Sequence, residues 1–218
     1  MLTLSLKRCS VAIGLIGTLL QGGFGAVPSK GLLEIEERLA ELGYPVLKVD
    51  GKPDASTYHA ILAFQKVEGL KRTGKPSAGL LEALRFARRP AARFRAGGKH
   101  IEIDIPRQVL FLSDDHGNVV YILSVSTGNE KPYLDKGERQ IAHTPRGEFR
   151  IQRKINGTRI STLGPMYYPS YFYRGVAIHG SPSVPPYPAS HGCVRIPRFA
   201  ERMFFKMAPI GMEVFVYD

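Results

Sequence analysis

The apolar residues of this chain change period once, and the change divides it in two. In Leu32-Leu33-x-Ile35-x-x-x-Leu39-x-x-Leu42-Gly43 they recur at three and four residues, which predicts an amphipathic helix that Gly43 can end. Asp50-Gly51 marks a tight turn. Ser56 or Thr57 can cap a second helix with Ala60, Ile61, Phe64 and Val67 inward, and Ser77 can start a third through Leu80, Leu81 and Leu84. From Ile101-x-Ile103-x-Ile105 the spacing drops to two. Strands are expected at 101–105, 109–112, 119–125, 148–151, 173–179 and 212–216, with a helix only within 198–207. The fold class this predicts is α+β: a small three-helix domain at 28–90, then a mostly β, sandwich-like domain at 99–218. Residues 91–98, which follow Pro90 and mix Ala, Gly and Arg, read as the linker between them.

Residues 1–25 stand apart. Lys7 and Arg8 precede an apolar run over 10–20, and small residues follow at Gly23-Phe24-Gly25-Ala26. That is the layout of a secretory signal peptide; an uncleaved N-terminal anchor is the alternative, and the run is short for a membrane span. The expected location is the periplasm or cell wall, with membrane contact only in transit. Export would remove Cys9, one of two cysteines, and leave Cys193 alone in an oxidising compartment. Cys193 stands beside His191 and Arg195 rather than inside an apolar run, which favours a reactive thiol over an inert one.

The net charge is +11, and the excess is densest early: residues 27–99 hold fourteen Lys/Arg against eight Asp/Glu. An exported chain rarely meets nucleic acid, so anionic wall polymers, lipid headgroups or simply solvent are the expected neighbours of this basic face.

The residues with the most chemistry lie between His179 and Arg195. A thiol attacks a carbonyl as thiolate and needs a base to take its proton. His179 closes the apolar stretch Gly175-Val176-Ala177-Ile178, whose rigidity can fix an imidazole at a sheet rim; His191 is two residues before Cys193. The Gly192-Cys193 turn can aim backbone N–H groups at an oxyanion, and Arg195 can hold a carboxylate or support the geometry. Two turns at strand ends, Ser126-Thr127-Gly128 and Thr144-Pro145-Arg146-Gly147-Glu148-Phe149, are further candidates. Tyr168, in the aromatic segment 166–173, and Tyr187, in the proline-rich spacer, are candidate substrate contacts; an ordinary hydrophobic loop is an equal reading of that segment. A zinc site from Cys193, His191, His179 and His143 is the rival, but the spacing fits no familiar zinc pattern.

Both halves resemble known families. Leu39-x-x-Leu42-Gly43-Tyr44, Asp50-Gly51, Thr57-x-x-Ala60-x-x-x-Phe64-Gln65 and Gly69-Leu70-x-x-x-Gly74 resemble the three-helix peptidoglycan-binding module, with Glu37 where a Gln is common. His179, then Ser190-His191-Gly192-Cys193-Val194-Arg195, resembles the signature of the L,D-transpeptidase (YkuD-type) catalytic domain; the spacer of ten residues between them is short and holds four prolines. The resemblance implies that Cys193 is the nucleophile and His179 the base, oriented by the carbonyl of Gly180. Backbone N–H groups of Gly192 and Cys193, with His191, would hold the oxyanion, while Arg195 and Ser190 would meet the substrate. It further implies an exported, monomeric enzyme of peptidoglycan biosynthesis, cell-wall biogenesis and cell shape, with no metal or organic cofactor. The expected reaction acylates Cys193 with a tetrapeptide stem, releases D-alanine and passes the stem to an amine. Water as acceptor (an L,D-carboxypeptidase) and a non-catalytic wall-binding protein are the alternatives. The first domain is expected to hold the enzyme on its polymer and to be dispensable for soluble stems.

Overall fold

Residues 29–94 and 98–218 are described by the computed structural model; the expected leader and linker residues 95–97 lie outside them. The early period folds as three helices, α1 (Ser29–Glu41), α2 (Ala55–Val67) and α3 (Ala78–Phe86). Ser77 caps α3 by accepting from the Leu80 N–H. The cap of α2 is Asp54, which accepts from the Thr57 N–H, and not Ser56 or Thr57; those two are buried in the first helical turn. The buried acid of α1 is Glu36 rather than Glu37: its carboxylate accepts from the N–H groups of Asp50 and Gly51 and from the Thr57 hydroxyl, tying the turn to both helices.

The rest is β1 (His100–Asp104), β2 (Val109–Ser113), β3 (Val119–Ser124), β4 (Pro132–Asp135), β5 (Glu138–Ile141), β6 (Gly147–Arg150), β7 (Arg153–Lys154), β8 (Thr158–Ser161), β9 (Gly164–Tyr173), β10 (Val176–Ser181) and β11 (Val194–Pro197). A 3-10 turn (Arg198–Ala200), α4 (Glu201–Met207) and β12 (Glu213–Tyr217) follow. One sheet has the order β3-β2-β1-β12-β6, with β1 and β12 parallel. The second runs β11-β10-β9-β7, with β8 also on β9, and β4-β5 forms a separate hairpin.

Strand β2 explains how the layers stack. Leu110 and Leu112 join a core with Phe172, Ile178, Val194 and Ile196 of the second sheet and Phe204 of α4. Its alternate residues, Val109 and Phe111, join Val119 and Ile122 in a different core, with Ile35, Leu39, Ile61, Phe64, Leu80 and Leu84 of the helices. A strand buried on both faces needs apolar residues throughout, which is why Val109-Leu110-Phe111-Leu112 does not alternate. The molecule is thus three layers, helices on sheet on sheet, and the two segments of different apolar period share a core.

The segment between them is fastened as well. Glu102 accepts from the N–H groups of Arg93 and Phe94, and the Phe94 ring stacks on Phe215 at 4.6 Å. Lys66 of α2, fully buried, crosses into the β region and donates to Gln108 O, Ser124 Oγ and Val125 O at 3.0, 2.8 and 2.9 Å. Burial and the charge of Arg72 pull its pKa down, and three oxygen acceptors, one for each ammonium proton, oppose that pull.

Candidate active site

Parallel pairing of β10 with β11 aligns Ile178 with Val194 and His179 with Arg195, so Cys193 lies at the entry to β11 beside Ala177. The Ala177 N–H points at Cys193 Sγ, 3.5 Å away. Cys193, His179, His191, Gly192, Ser190 and Arg195 all line one cavity of about 450 Å³. Other lining comes from Thr162 in the β8–β9 turn, from Gly164 and Met166 at the start of β9, and from Tyr133 and Asp135 of β4. Thr162 donates to Asp135 at 2.7 Å, joining the β8–β9 turn to β4.

His179 is buried, and its Nδ1 lies 2.9 Å from Gly180 O. A carbonyl only accepts, so Nδ1 carries the proton and Nε2 keeps its lone pair. Burial, reinforced by Arg195 and opposed by the Gly180 carbonyl, lowers the His179 pKa to about 4. The ring is therefore neutral at neutral pH. Cys193 is partly exposed on the cavity wall, yet the atoms packed round its sulfur raise the thiol pKa; the Ala177 N–H and Arg195 pull the other way. The resting pair is a thiol and a neutral imidazole.

The backbone before Cys193 is held from three sides. The Ser190 hydroxyl accepts from the Gly192 N–H at 3.0 Å and donates to the Cys193 carbonyl. Thr144, buried, donates to Gly192 O at 2.7 Å and accepts from the Gly128 N–H at 2.9 Å. Thr127 O accepts from the N–H groups of Ala189 and Ser190, and Ser126 Oγ donates to Tyr187 O. Gly192 has φ +132°, and a Cβ there would come 2.8 Å from His143 O, so only glycine fits this turn.

The geometry revises several expectations. The Gly192 N–H is already bonded to Ser190 and is not free to face an oxyanion; the Cys193 N–H has no acceptor among the described residues. Ser190 is 1% exposed and acts on the loop through its hydroxyl. The Tyr168 ring packs on Phe205, and Tyr187 projects outward, 60% exposed; neither lines the cavity. The His191 ring packs against Tyr133 on the cavity wall, centroids 4.7 Å apart and planes tilted by 56°. Missed in the sequence were Gln108 and the walls at Tyr133, Asp135 and Thr162. The candidate turns at 126–128 and 144–149 both supply residues, Ser126, Thr127 and Thr144, that brace the Cys193 loop. Among the described residues no three His, Cys, Asp or Glu side chains converge as metal ligands.

Comparison with known proteins agrees with this architecture. Residues 98–216 match the family model described as the L,D-transpeptidase catalytic domain (YkuD), and residues 29–84 match a peptidoglycan-binding domain model. The L,D-transpeptidase of Xylanimonas cellulosilytica is 41% identical with a TM-score of 0.82, over 88% of this chain and 94% of that one. The L,D-transpeptidase of Stackebrandtia nassauensis shares the fold at 23% identity and a TM-score of 0.51, over 90% and 94% of the two chains. No curated protein matches.

Proposed function

Because the chain belongs to the YkuD family of L,D-transpeptidases, we propose that Cys193 is its acylated nucleophile, His179 its general base and a peptidoglycan tetrapeptide stem its donor substrate. The observation that carries the assignment is the His179–Gly180 hydrogen bond, which leaves Nε2 as the free nitrogen in the cavity that also holds the sulfur. In the first half-reaction Nε2 takes the Sγ proton as sulfur attacks the carbonyl that precedes the terminal D-alanine. The Cys193 N–H is the donor available to the oxyanion. Collapse expels the D-alanine amine, which takes the proton from the imidazolium, and leaves a thioester. An acceptor amine then attacks, His179 removes its proton, and the new amide forms as the thiol is restored. Arg195, the guanidinium on the cavity wall, pairs with a substrate carboxylate.

The test is mass detection on defined tetrapeptide muropeptides. A Cys193 adduct of the stem less D-alanine, followed by cross-linked product, supports the reading. A tripeptide as the sole product would make the enzyme an L,D-carboxypeptidase; no adduct at all would leave only wall binding. Affinity of the helical layer for the wall, and export directed by residues 1–25, belong to the same proposal. Sacculus pull-down and cell fractionation check them.

A further inference from the structure

Between α2 and the Cys193 loop runs an unbroken series of buried hydrogen bonds, each with a defined donor. Lys66 Nζ donates to Gln108 O, and the same carbonyl receives the Val125 N–H. The Gln108 side chain donates to Thr127 Oγ1 at 2.7 Å and accepts from the Thr127 N–H at 2.9 Å. Thr127 O then receives the Ser190 N–H at 2.9 Å, and the Ser190 hydroxyl clasps both Gly192 N and Cys193 O. Lys66, Gln108, Ser124, Thr127 and Ser190 are each at most 1% exposed. Gln108 takes a left-handed φ of 59°, a conformation that costs a non-glycine residue and persists only where its surroundings hold it.

We propose that Lys66 is a positioning residue for the Cys193 loop, so that the helical layer is a working part of the catalytic site. Three points favour this over simple docking of the helices. The ammonium bonds to three neutral oxygens and makes no ion pair among the described residues, although an apolar side chain there would carry no charge to desolvate. Its acceptors lie together at the open end of the β2–β3 hairpin, residue 108 just before β2 and 124–125 at the end of β3, two residues ahead of Thr127. A second cation of the same layer grips the loop directly: Arg72 donates to Pro186 O at 3.1 Å, and the next carbonyl, of Tyr187, is held by Ser126. The role as a positioning residue rests on Cys193 being the nucleophile, so one readout must be independent of turnover.

The experiment uses the full chain and compares Lys66→Met with Val119→Ala, a change in the shared core that touches none of these bonds. Both lower thermal stability. Lys66→Met is expected to lower kcat by about 10- to 100-fold, the scale of a small displacement at a reacting atom, with KM changed less than about twofold. It should also change the rate of Cys193 alkylation by iodoacetamide, which Val119→Ala leaves near wild type. Thr127→Val, which removes the Gln108 Nε2–Thr127 Oγ1 bond, keeps the backbone bond and leaves the Lys66 site intact, should reproduce part of the kcat loss, and the double variant should fall little further than Lys66→Met alone. If Lys66→Met does not fold, Thr127→Val with the alkylation readout decides. Losses that follow stability alone in all variants, or additive losses in the double variant, would overturn the proposal. An alkylation change in a protein that never forms a stem adduct would keep it and overturn the transpeptidase chemistry instead.

Discussion

Glu201 fills the space that a side chain at Gly180 would need. A Cβ there would come 2.1 Å from Glu201 Oε2 and 2.7 Å from its Cβ, so the two elements meet backbone to side chain. Gly180 also supplies the carbonyl that fixes the His179 tautomer. Glu201 is itself held by Arg198 at 2.6 Å, whose guanidinium lies over the Tyr167 ring. Gly180→Ala must therefore displace either α4 or β10, and with it the imidazole. The expected outcome is a drop of roughly 100-fold in the acylation rate with stem substrate, measured by stopped-flow mass detection, since a shift of about 1 Å has that effect. Retained acylation would show that the strand tolerates the shift.

The protonation states of the resting pair set a pH profile. With the His179 pKa lowered to about 4, the base is available down to mildly acidic pH, so the acid limb of kcat/KM should lie well below 6.5. With the thiol pKa raised, alkylation of Cys193 by iodoacetamide should keep rising through the ordinary thiol range. A rate plateau at neutral pH would indicate a preformed thiolate–imidazolium pair and contradict the geometry.

Stability should fall with acid for the same reason. The pKa values of His179 and His59 are both lowered to about 4 by burial, against about 6.5 in the unfolded chain. Between pH 6.5 and 4 the unfolded state binds protons that the folded state refuses, so stability drops as pH falls through that window. His59→Leu should flatten the drop in a calorimetric pH series; an unchanged slope would assign the acid sensitivity elsewhere.

Thr144 bonds two backbone groups at once, the Gly192 carbonyl and the Gly128 N–H, and both bonds are buried. Thr144→Val keeps the shape and orphans both, at a cost of about 1–3 kcal/mol for each unsatisfied group. Denaturant unfolding should register that loss together with slower Cys193 acylation. Full activity at reduced stability would confine Thr144 to folding.

Removing residues 29–90 should not leave an active remainder. It would uncover Val109, Phe111, Val119 and Ile122, each worth about 1.5–3 kcal/mol when buried, and strip the Lys66 donor from three acceptors. Aggregation or lost turnover on soluble stems is the expected result. A soluble fragment with wild-type kcat would restore the picture of a separable tether.

The parts legible in the sequence were those written locally. Helix spacing, the Ser77 cap and the alternating Ile101–Ile103–Ile105 needed only near neighbours, and the His179 and Cys193 motif lies within seventeen positions of chain. Strand β9 is not legible in the sequence because its Tyr, Pro and Ser residues carry no alternation; it is defined by pairing with β8, β7 and β10. Lys66 could not be read at all: a lysine in an amphipathic helix looks like a solvated cation, and its acceptors lie more than forty residues away. The Gly192 N–H is a similar case, since its partner depends on the rotamer of Ser190 rather than on residue type. Tyr187 shows the converse, an aromatic in a promising place that points outward.

A shared core behind β2 also fixes a distance. Were the helices joined only by a slack chain, Cys193 could sweep a volume around whatever strand they held. Fastened as they are, helices and thiol move as one body, like the jaws of a caliper set to a single opening. A glycan gripped by the helical layer would then offer its stems at one spacing, and the polymer's own repeat, rather than the reach of a linker, would decide which stem arrives at the sulfur.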